Sequence, residues 1–114
     1  MNIVEEIIDD IIVEIINIDR ATINEANLLK DMIYRKIETG YKKIIVDLSN
    51  VEFIDSTFLG AIVSSLKKVA NIGGDLKLVG FRPPVRSMFE LTRLFRVFDS
   101  YSDLQDAVKS FHRK

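Results

Sequence analysis

Short apolar segments alternate with segments of helical period from about residue 20 to the end of the chain. "KKIIVDL" and "DLKLVGF" are compact apolar runs that predict strands covered on both faces. Between and before them lie two stripes of helical spacing: Ile23, Ala26, Leu29, Ile33 and Ile37, then Leu59, Ile62, Val63, Leu66, Val69 and Ala70. This alternation predicts right-handed crossovers and a largely parallel sheet.

The opening stretch, "NIVEEIIDDIIVEIINID", predicts a different structure. Its paired apolar positions mimic a helical period, but each is Ile or Val, and these residues favour strands. Asp9 and Asp10 predict a turn between strands at about 2–8 and 11–18. The expected fold is therefore a single α/β domain over 1–114. An N-terminal β-hairpin precedes alternating strands and helices, giving a mixed, largely parallel sheet with about four helices.

Glycines and prolines mark the expected ends of the helices. Gly40 and Gly73-Gly74 end the first two, and Pro83-Pro84 opens a third that runs to about Arg93. "FRVF" is predicted to be a last short strand, and "SDLQDAVKSF" a final helix capped by Ser102. Four phenylalanines are expected in the core, with a C-terminal apolar lip as the alternative: Phe89, Phe95, Phe98 and Phe111.

Composition excludes several classes of function. The chain has no cysteine, so it has no disulfide, no thiolate metal site and no cysteine nucleophile. A net charge of -1 argues against direct nucleic-acid binding, which depends on neutralising phosphates. The sequence begins without the features of a signal peptide and has no run long enough for a membrane helix. We expect a cytoplasmic protein with no membrane contact, no metal and no cofactor.

"FIDSTFLGAIV" places an acid and two hydroxyls where a strand is expected to become a helix. Asp55 or Ser56 can cap that helix by accepting hydrogen bonds from its first N–H groups. A phosphate on Ser56 would meet the same donors and the positive end of the helix dipole. Capping is the commoner use of such residues, but the two roles are compatible and both stay open.

The central half of the chain resembles a STAS domain of the anti-sigma factor antagonist type. The resemblance rests on "IIVDLSNVEFIDSTFLGAIVSSLKKVANIGGDLKLVGFRPPVRSMFELTRLF". It follows the family order of strand, "D-S-[ST]-G-L-G", helix, paired glycines, strand, and a helix after proline leading to "L-F". The hairpin and "NIDRATINEA" extend the resemblance over essentially the whole chain.

The resemblance implies a switch. In the family, the serine after the aspartate is phosphorylated by a partner kinase that is also the anti-sigma factor, and a serine phosphatase resets it. Carried over, Ser56 is the phosphoacceptor. The partner-contacting residues would be Asp19, Asp55, Thr57, Phe58 and Gly60. The resemblance implies no catalytic residue.

Two positions depart from the family pattern. Phe58 replaces a glycine, and it could be half-buried packing or an exposed aromatic anchor for a partner. Ile16 stands where many members have a glycine three residues before the aspartate. Asp19 could therefore be the cap of the first helix instead of a contact residue.

The sequence leaves the following alternatives open. The chain could be a scaffold or transporter-accessory STAS protein that needs no phosphorylation, and its oligomeric state is undetermined. A small hydrolase would need its one histidine, His112, to reach Ser56, and no G-x-S-x-G elbow is present. Four arginines could bind a phosphate, face the acidic hairpin or form a balanced solvated surface, the most frequent case: Arg82, Arg86, Arg93 and Arg96.

Overall fold

The structure is a computed structural model that describes residues 2–112. Its strands are β1 (Ile3–Ile8), β2 (Ile11–Ile16), β3 (Arg20–Ala21), β4 (Lys43–Asp47), β5 (Phe53–Ile54), β6 (Asp75–Val79) and β7 (Asp99–Tyr101). Its helices are α1 (Ile23–Glu38), α2 (Ser56–Ala70), α3 (Pro83–Leu91) and α4 (Leu104–His112), and a 3₁₀ turn spans Leu94–Arg96.

Five strands form the main sheet in the order β1-β2-β4-β6-β7. β1 and β2 are antiparallel, and the other three pairings are parallel. The hairpin closes with Ile8 opposite Ile11, and Asp9 in the turn has a φ of 56°. The predicted α/β fold with a mixed, mostly parallel sheet is confirmed.

The sheet carries helices on both faces. α1, α2 and α3 share one buried cluster with alternate strand residues such as Ile44 and Val46. Ile45, between those two residues, belongs to a second cluster with Ala107 of α4 on the opposite face. Because side chains alternate along a strand, β4 must be apolar on both sides. This explains the continuous apolar run in "KKIIVDL".

A second, two-stranded sheet joins the chain before α1 to the chain before α2. Arg20 and Ala21 of β3 pair in parallel with Phe53 and Ile54 of β5. The carbonyl of Asp19 accepts hydrogen bonds from the N–H groups of Glu52 and Phe53, at 2.8 and 3.0 Å. These contacts bring the segment around Asp19 beside the start of α2.

The C-terminal third differs from the sequence prediction at three places. "FRVF" is not a strand: Leu94–Arg96 is a 3₁₀ turn, and the strand that pairs with β6 is Asp99–Tyr101. Phe95 is 48% exposed and so belongs to an apolar lip, whereas Phe89 and Phe98 are buried. Ser102 does not cap α4, because Oδ1 of Asp103 accepts from the Asp106 N–H at 2.9 Å.

Helix α1 also begins differently from the prediction. Thr22 is its cap residue, and the Thr22 N–H donates to Oε1 of Glu25 at 2.9 Å, one half of a capping box. Asp19 lies three residues too early to be the cap, so that alternative is wrong. Ile23 is 55% exposed and stands outside the buried stripe, since the helix starts at this residue and turns it toward solvent.

Candidate functional site at the start of helix α2

Asp55 is the cap of α2. Its backbone is extended, with φ of −93° and ψ of 174°. Its Oδ1 accepts from the Phe58 N–H at 2.8 Å, and its carbonyl accepts from the Leu59 N–H at 3.0 Å. Of the two capping residues left open by the sequence, the structure selects Asp55. Ser56 is thereby free of the capping role.

Ser56 and Thr57 are the first two residues of α2, and both are exposed. Helix geometry leaves the N–H groups of a first turn without carbonyl partners inside the helix. Asp55 satisfies the N–H of Phe58, the third of these groups. The N–H groups of Ser56 and Thr57 therefore face the same solvent as the Ser56 hydroxyl.

Phe58 points away from this surface. Its side chain is fully buried, together with Leu59, in the cluster beneath α1 and α2. The exposed-anchor interpretation of Phe58 is wrong, and half-burial understates its packing. The ring occupies the core because the third helical position faces the sheet once α2 begins at Ser56. It consequently leaves Ser56 uncovered.

Gly60 lies one turn beyond Ser56 and faces the same side of the helix. It is exposed, and a Cβ placed on it would meet no atom of the protein within 4 Å. Nothing inside the chain therefore requires glycine here. We call the surface formed by the half-buried Asp55 and four exposed residues the α2 rim: Asp19, Asp55, Ser56, Thr57 and Gly60.

Asp19 reaches the α2 rim through the β3–β5 pairing. It is exposed, and the residue after it, Arg20, stacks its guanidinium 4.2 Å from the centroid of the Phe53 ring. No pattern in the sequence predicts this pairing, because two-residue strands show no hydrophobic period. The structure thus places Asp55, Ser56, Thr57 and Gly60 at the start of α2 and Asp19 beside the segment that precedes it, and it buries the side chain of Phe58.

His112 lies far from Ser56 in the topology. Its Nε2 is 3.4 Å from Oδ2 of Asp9, in the turn that precedes β2. Asp9 lies before the N-terminal end of β2, whereas the start of α2 lies beyond the C-terminal ends of the parallel strands β2 and β4. The two side chains therefore lie at opposite ends of the strands. A hydrolytic pairing of His112 with Ser56 has no geometric support.

The four arginines divide into two pairs. Arg82 contacts Glu52 and the carbonyl of Ser49, both at 2.9 Å, and Arg86 lies 3.9 Å from Glu90. Among residues 2–112, no carboxylate lies within 4.0 Å of Arg93 or Arg96. None of these arginines forms an ion pair with the acidic hairpin in the described part of the chain.

One buried acid escaped the sequence analysis. Glu14 of β2 is fully buried on the α1 side of the sheet, and neither carboxyl oxygen has a hydrogen-bond partner. Burial, and next the Glu5 carboxyl group opposite it in β1, raise the pKa of Glu14 to about 9. A protonated Glu14 supplies the donor that this pair of carboxyl groups otherwise lacks.

The described residues hold no cluster of three or more His, Cys, Asp or Glu side chains suited to a metal ion. Over the same range, 2–112, none of the helices has the length and apolar character required to cross a bilayer.

Comparison with known proteins identifies the class. The model of the STAS domain family matches residues 4–107, so the chain belongs to the STAS domain family. A protein of Thermotoga maritima named "Putative anti-sigma factor antagonist" is 34% identical over 110 residues, which cover 96% of each chain. The printed name of this relative describes an antagonist of an anti-sigma factor.

Solved structures agree with this assignment. A crystal structure of a Thermotoga maritima protein of the same description superposes with a TM-score of 0.91 at 33% identity, covering 97% of this chain and 95% of that one. The anti-sigma factor antagonist SpoIIAA in its unphosphorylated form gives a TM-score of 0.77 at 15% identity, covering 97% of both chains. SpoIIAA of Bacillus in its phosphorylated form gives 0.77 at 16% identity, covering 96% and 98%. At these identities SpoIIAA is evidence for the fold alone.

Proposed function

We propose that this protein is an anti-sigma factor antagonist whose binding is controlled by phosphorylation of Ser56. The unphosphorylated form binds an anti-sigma factor that is also a serine kinase, and phosphorylation releases it. A serine phosphatase restores the binding form, and the cycle takes place in the cytoplasm. The observation that carries this proposal is the exposed Ser56 at the first position of α2.

The α2 rim supplies the contact surface in this proposal. Gly60 lets a partner approach the helix backbone closely, since no side chain stands there. Thr57 and Asp19 flank it as exposed polar groups. Phe58 contributes indirectly, because its buried ring fixes the first turn of α2 and so positions the residues of the rim. The protein performs no catalysis of its own.

Charge alone can operate the switch. A phosphoserine carries about -1.5 to -2 charges at neutral pH. Asp55 already occupies one first-turn N–H, so the phosphate adds negative charge beside a carboxylate. An interface shaped for a hydroxyl would then hold an unpaired charge, at a cost of roughly 3–5 kcal/mol. At about 1.4 kcal/mol per tenfold, affinity falls by about two to three orders of magnitude without a change of fold.

The test has two parts. Mass spectrometry of the protein purified from its own host should find phosphate on Ser56. In a quantitative binding assay with the kinase recovered from that host, Ser56→Ala should bind and Ser56→Asp should bind about a hundredfold more weakly.

Asn27→Asp is the matched control, because it adds a charge at an exposed position of α1. This variant should bind like the parent protein. If Ser56→Ala and Ser56→Asp bind partners equally, the protein is a STAS scaffold or transporter-accessory subunit that does not use phosphorylation.

A further inference from the structure

Large apolar side chains are exposed where α3 ends and the 3₁₀ turn begins. Leu91 is 83% exposed, Val97 57% and Phe95 48%. All three lie within seven residues of sequence, on the exposed surface at the end of α3 and in the turn that follows it. We call this surface, together with Arg93 and Arg96, the α3 patch. Contiguous apolar exposure bordered by polar groups is typical of an interaction site.

The two arginines give the α3 patch a positive charge. Arg82 and Arg86 have carboxylates within ion-pair distance, but Arg93 and Arg96 have none among residues 2–112. Both are exposed. An acidic partner would supply the missing counter-charges, and arginine is well suited to pair with carboxylates across an interface.

A cavity opens beside the α3 patch. It has a volume of about 480 Å³ and lies between α3 and the ends of β6 and β7. Phe95 of the patch and Phe81 line it together with polar side chains such as those of Arg86, Glu90 and Ser102. The buried Phe89 ring packs behind Phe81, with ring centroids 4.9 Å apart. An aromatic or large aliphatic side chain would fill this space and remove apolar surface from water.

The backbone of the α3 patch has an unfavourable conformation at Arg93. Arg93 has a φ of 59°, in the left-handed region that residues with a Cβ rarely adopt. The turn ends α3 and redirects the chain so that Leu91 and Phe95 are both exposed. Strained backbone of this kind is found preferentially at functional sites.

We propose that the α3 patch is a second protein-docking surface, which binds an acidic segment of another protein bearing one large apolar side chain. That side chain enters the cavity beside Phe95, while the acids of the segment pair with Arg93 and Arg96. This surface is separate from the α2 rim, and Ser56 does not control it.

A discrete protein segment fits these observations better than a membrane. A flat bilayer surface would not fill a cavity between a helix and the strand ends. The protein as a whole is also slightly acidic, with a net charge of -1, which disfavours an anionic lipid surface.

The experiment is an NMR titration of the isotope-labelled protein with three short synthetic peptides. The first carries several glutamates around one phenylalanine, the second replaces each glutamate with lysine, and the third replaces the phenylalanine with alanine. The first peptide should shift resonances centred on residues 91–97, and each of the others should bind at least about tenfold more weakly.

Variants of the protein locate the site. Arg93→Glu combined with Arg96→Glu should weaken binding of the first peptide by about tenfold or more, and Phe95→Ala should do the same. Arg35→Glu, an exposed arginine of α1, and Ile72→Ala, an exposed apolar residue after α2, should leave it within about twofold. If the double variant does not fold, Phe95→Ala alone decides the question.

Several outcomes would overturn the inference. One is the absence of shifts at 91–97 with the first peptide, and another is equal binding of the lysine peptide. Binding of phosphatidylglycerol vesicles, but not of the first peptide, would assign the patch to a membrane. If Ser56→Asp abolishes peptide binding, the two surfaces are one; this inference then fails while the proposed switch stands.

Discussion

The α2 rim and the α3 patch are two exposed surfaces of opposite chemistry. The rim is small, polar and acidic, and its helix is capped by Asp55. The aromatic residue beneath it, Phe58, is buried. The patch is apolar and cationic, its backbone is left-handed at Arg93, and its aromatic residue, Phe95, is half exposed. In the two proposals, one added charge at Ser56 switches the first surface, whereas the second combines a positive charge with apolar area.

The largest expected effect separates the two aromatic residues. Phe58→Ala should lower the free energy of unfolding by about 3–5 kcal/mol, because it leaves a cavity in the main core. Phe95→Ala should lower it by less than about 1.5 kcal/mol, since much of that ring is already in water. Urea denaturation of both variants measures the difference. Equal losses in the free energy of unfolding would contradict the different burial of the two rings.

The pH dependence of the free energy of unfolding tests the raised pKa of the buried Glu14. The folded pKa of Glu14 is about 9 against 4.5 for the ordinary residue, so the folded state holds the proton more tightly. Its contribution to stability is complete below about pH 4.5 and is lost progressively as the pH rises toward 9. Glu5 and Lys36 are the charged groups that face it.

Glu14→Gln removes this titration. Urea denaturation from pH 5 to pH 8 should show that the parent protein loses stability with rising pH more steeply than Glu14→Gln does, by roughly 1 kcal/mol per pH unit. Glu6→Gln, an exposed neighbour on β1, should keep the steep dependence of the parent protein. Parallel pH profiles for the parent and Glu14→Gln would contradict the raised pKa.

The smallest expected effects have opposite signs in the two regions. Asp55→Ala should lower the free energy of unfolding by about 1 kcal/mol, because the Phe58 N–H loses its acceptor. Arg93→Gly should raise it by up to about 1 kcal/mol, because glycine adopts a positive φ without steric cost. Thermal unfolding compares them. Arg96→Gly, at a position without positive φ, should give no gain, and a gain there would show that strain at Arg93 is not the cause.

The sequence predicted the fold well where apolar residues form a helical stripe or a continuous run. β4, with Ile44, Ile45 and Val46 buried between two layers, is the clearest case. Prediction failed where tertiary pairing decides the structure. "FRVF" has strand-forming residues, but β6 pairs instead with the less apolar Asp99–Tyr101.

The candidate site was predictable in part. The Asp55-Ser56 motif predicted the start of α2 near Ser56 but left open which of the two residues is the cap, and the structure selects Asp55. The orientation of Phe58 was not predictable, because it lies at the edge of the helical stripe and a shift of one residue in the helix start would turn it outward. Glu14 was missed for a related reason: the alternation in β2 places it on the same face as Ile12 and Ile16, but an apolar pattern does not reveal a buried acid.

The two-residue pairing of β3 with β5 has a consequence for any enzyme that modifies Ser56. Asp19 lies beside the segment that leads into α2 only because distant parts of the chain are tied together before each helix begins. A synthetic peptide copied from residues 53–60 would carry the hydroxyl but neither the companion acid nor the helical turn. Such an enzyme would have to recognise a three-dimensional epitope, so unfolded or nascent chains would escape modification.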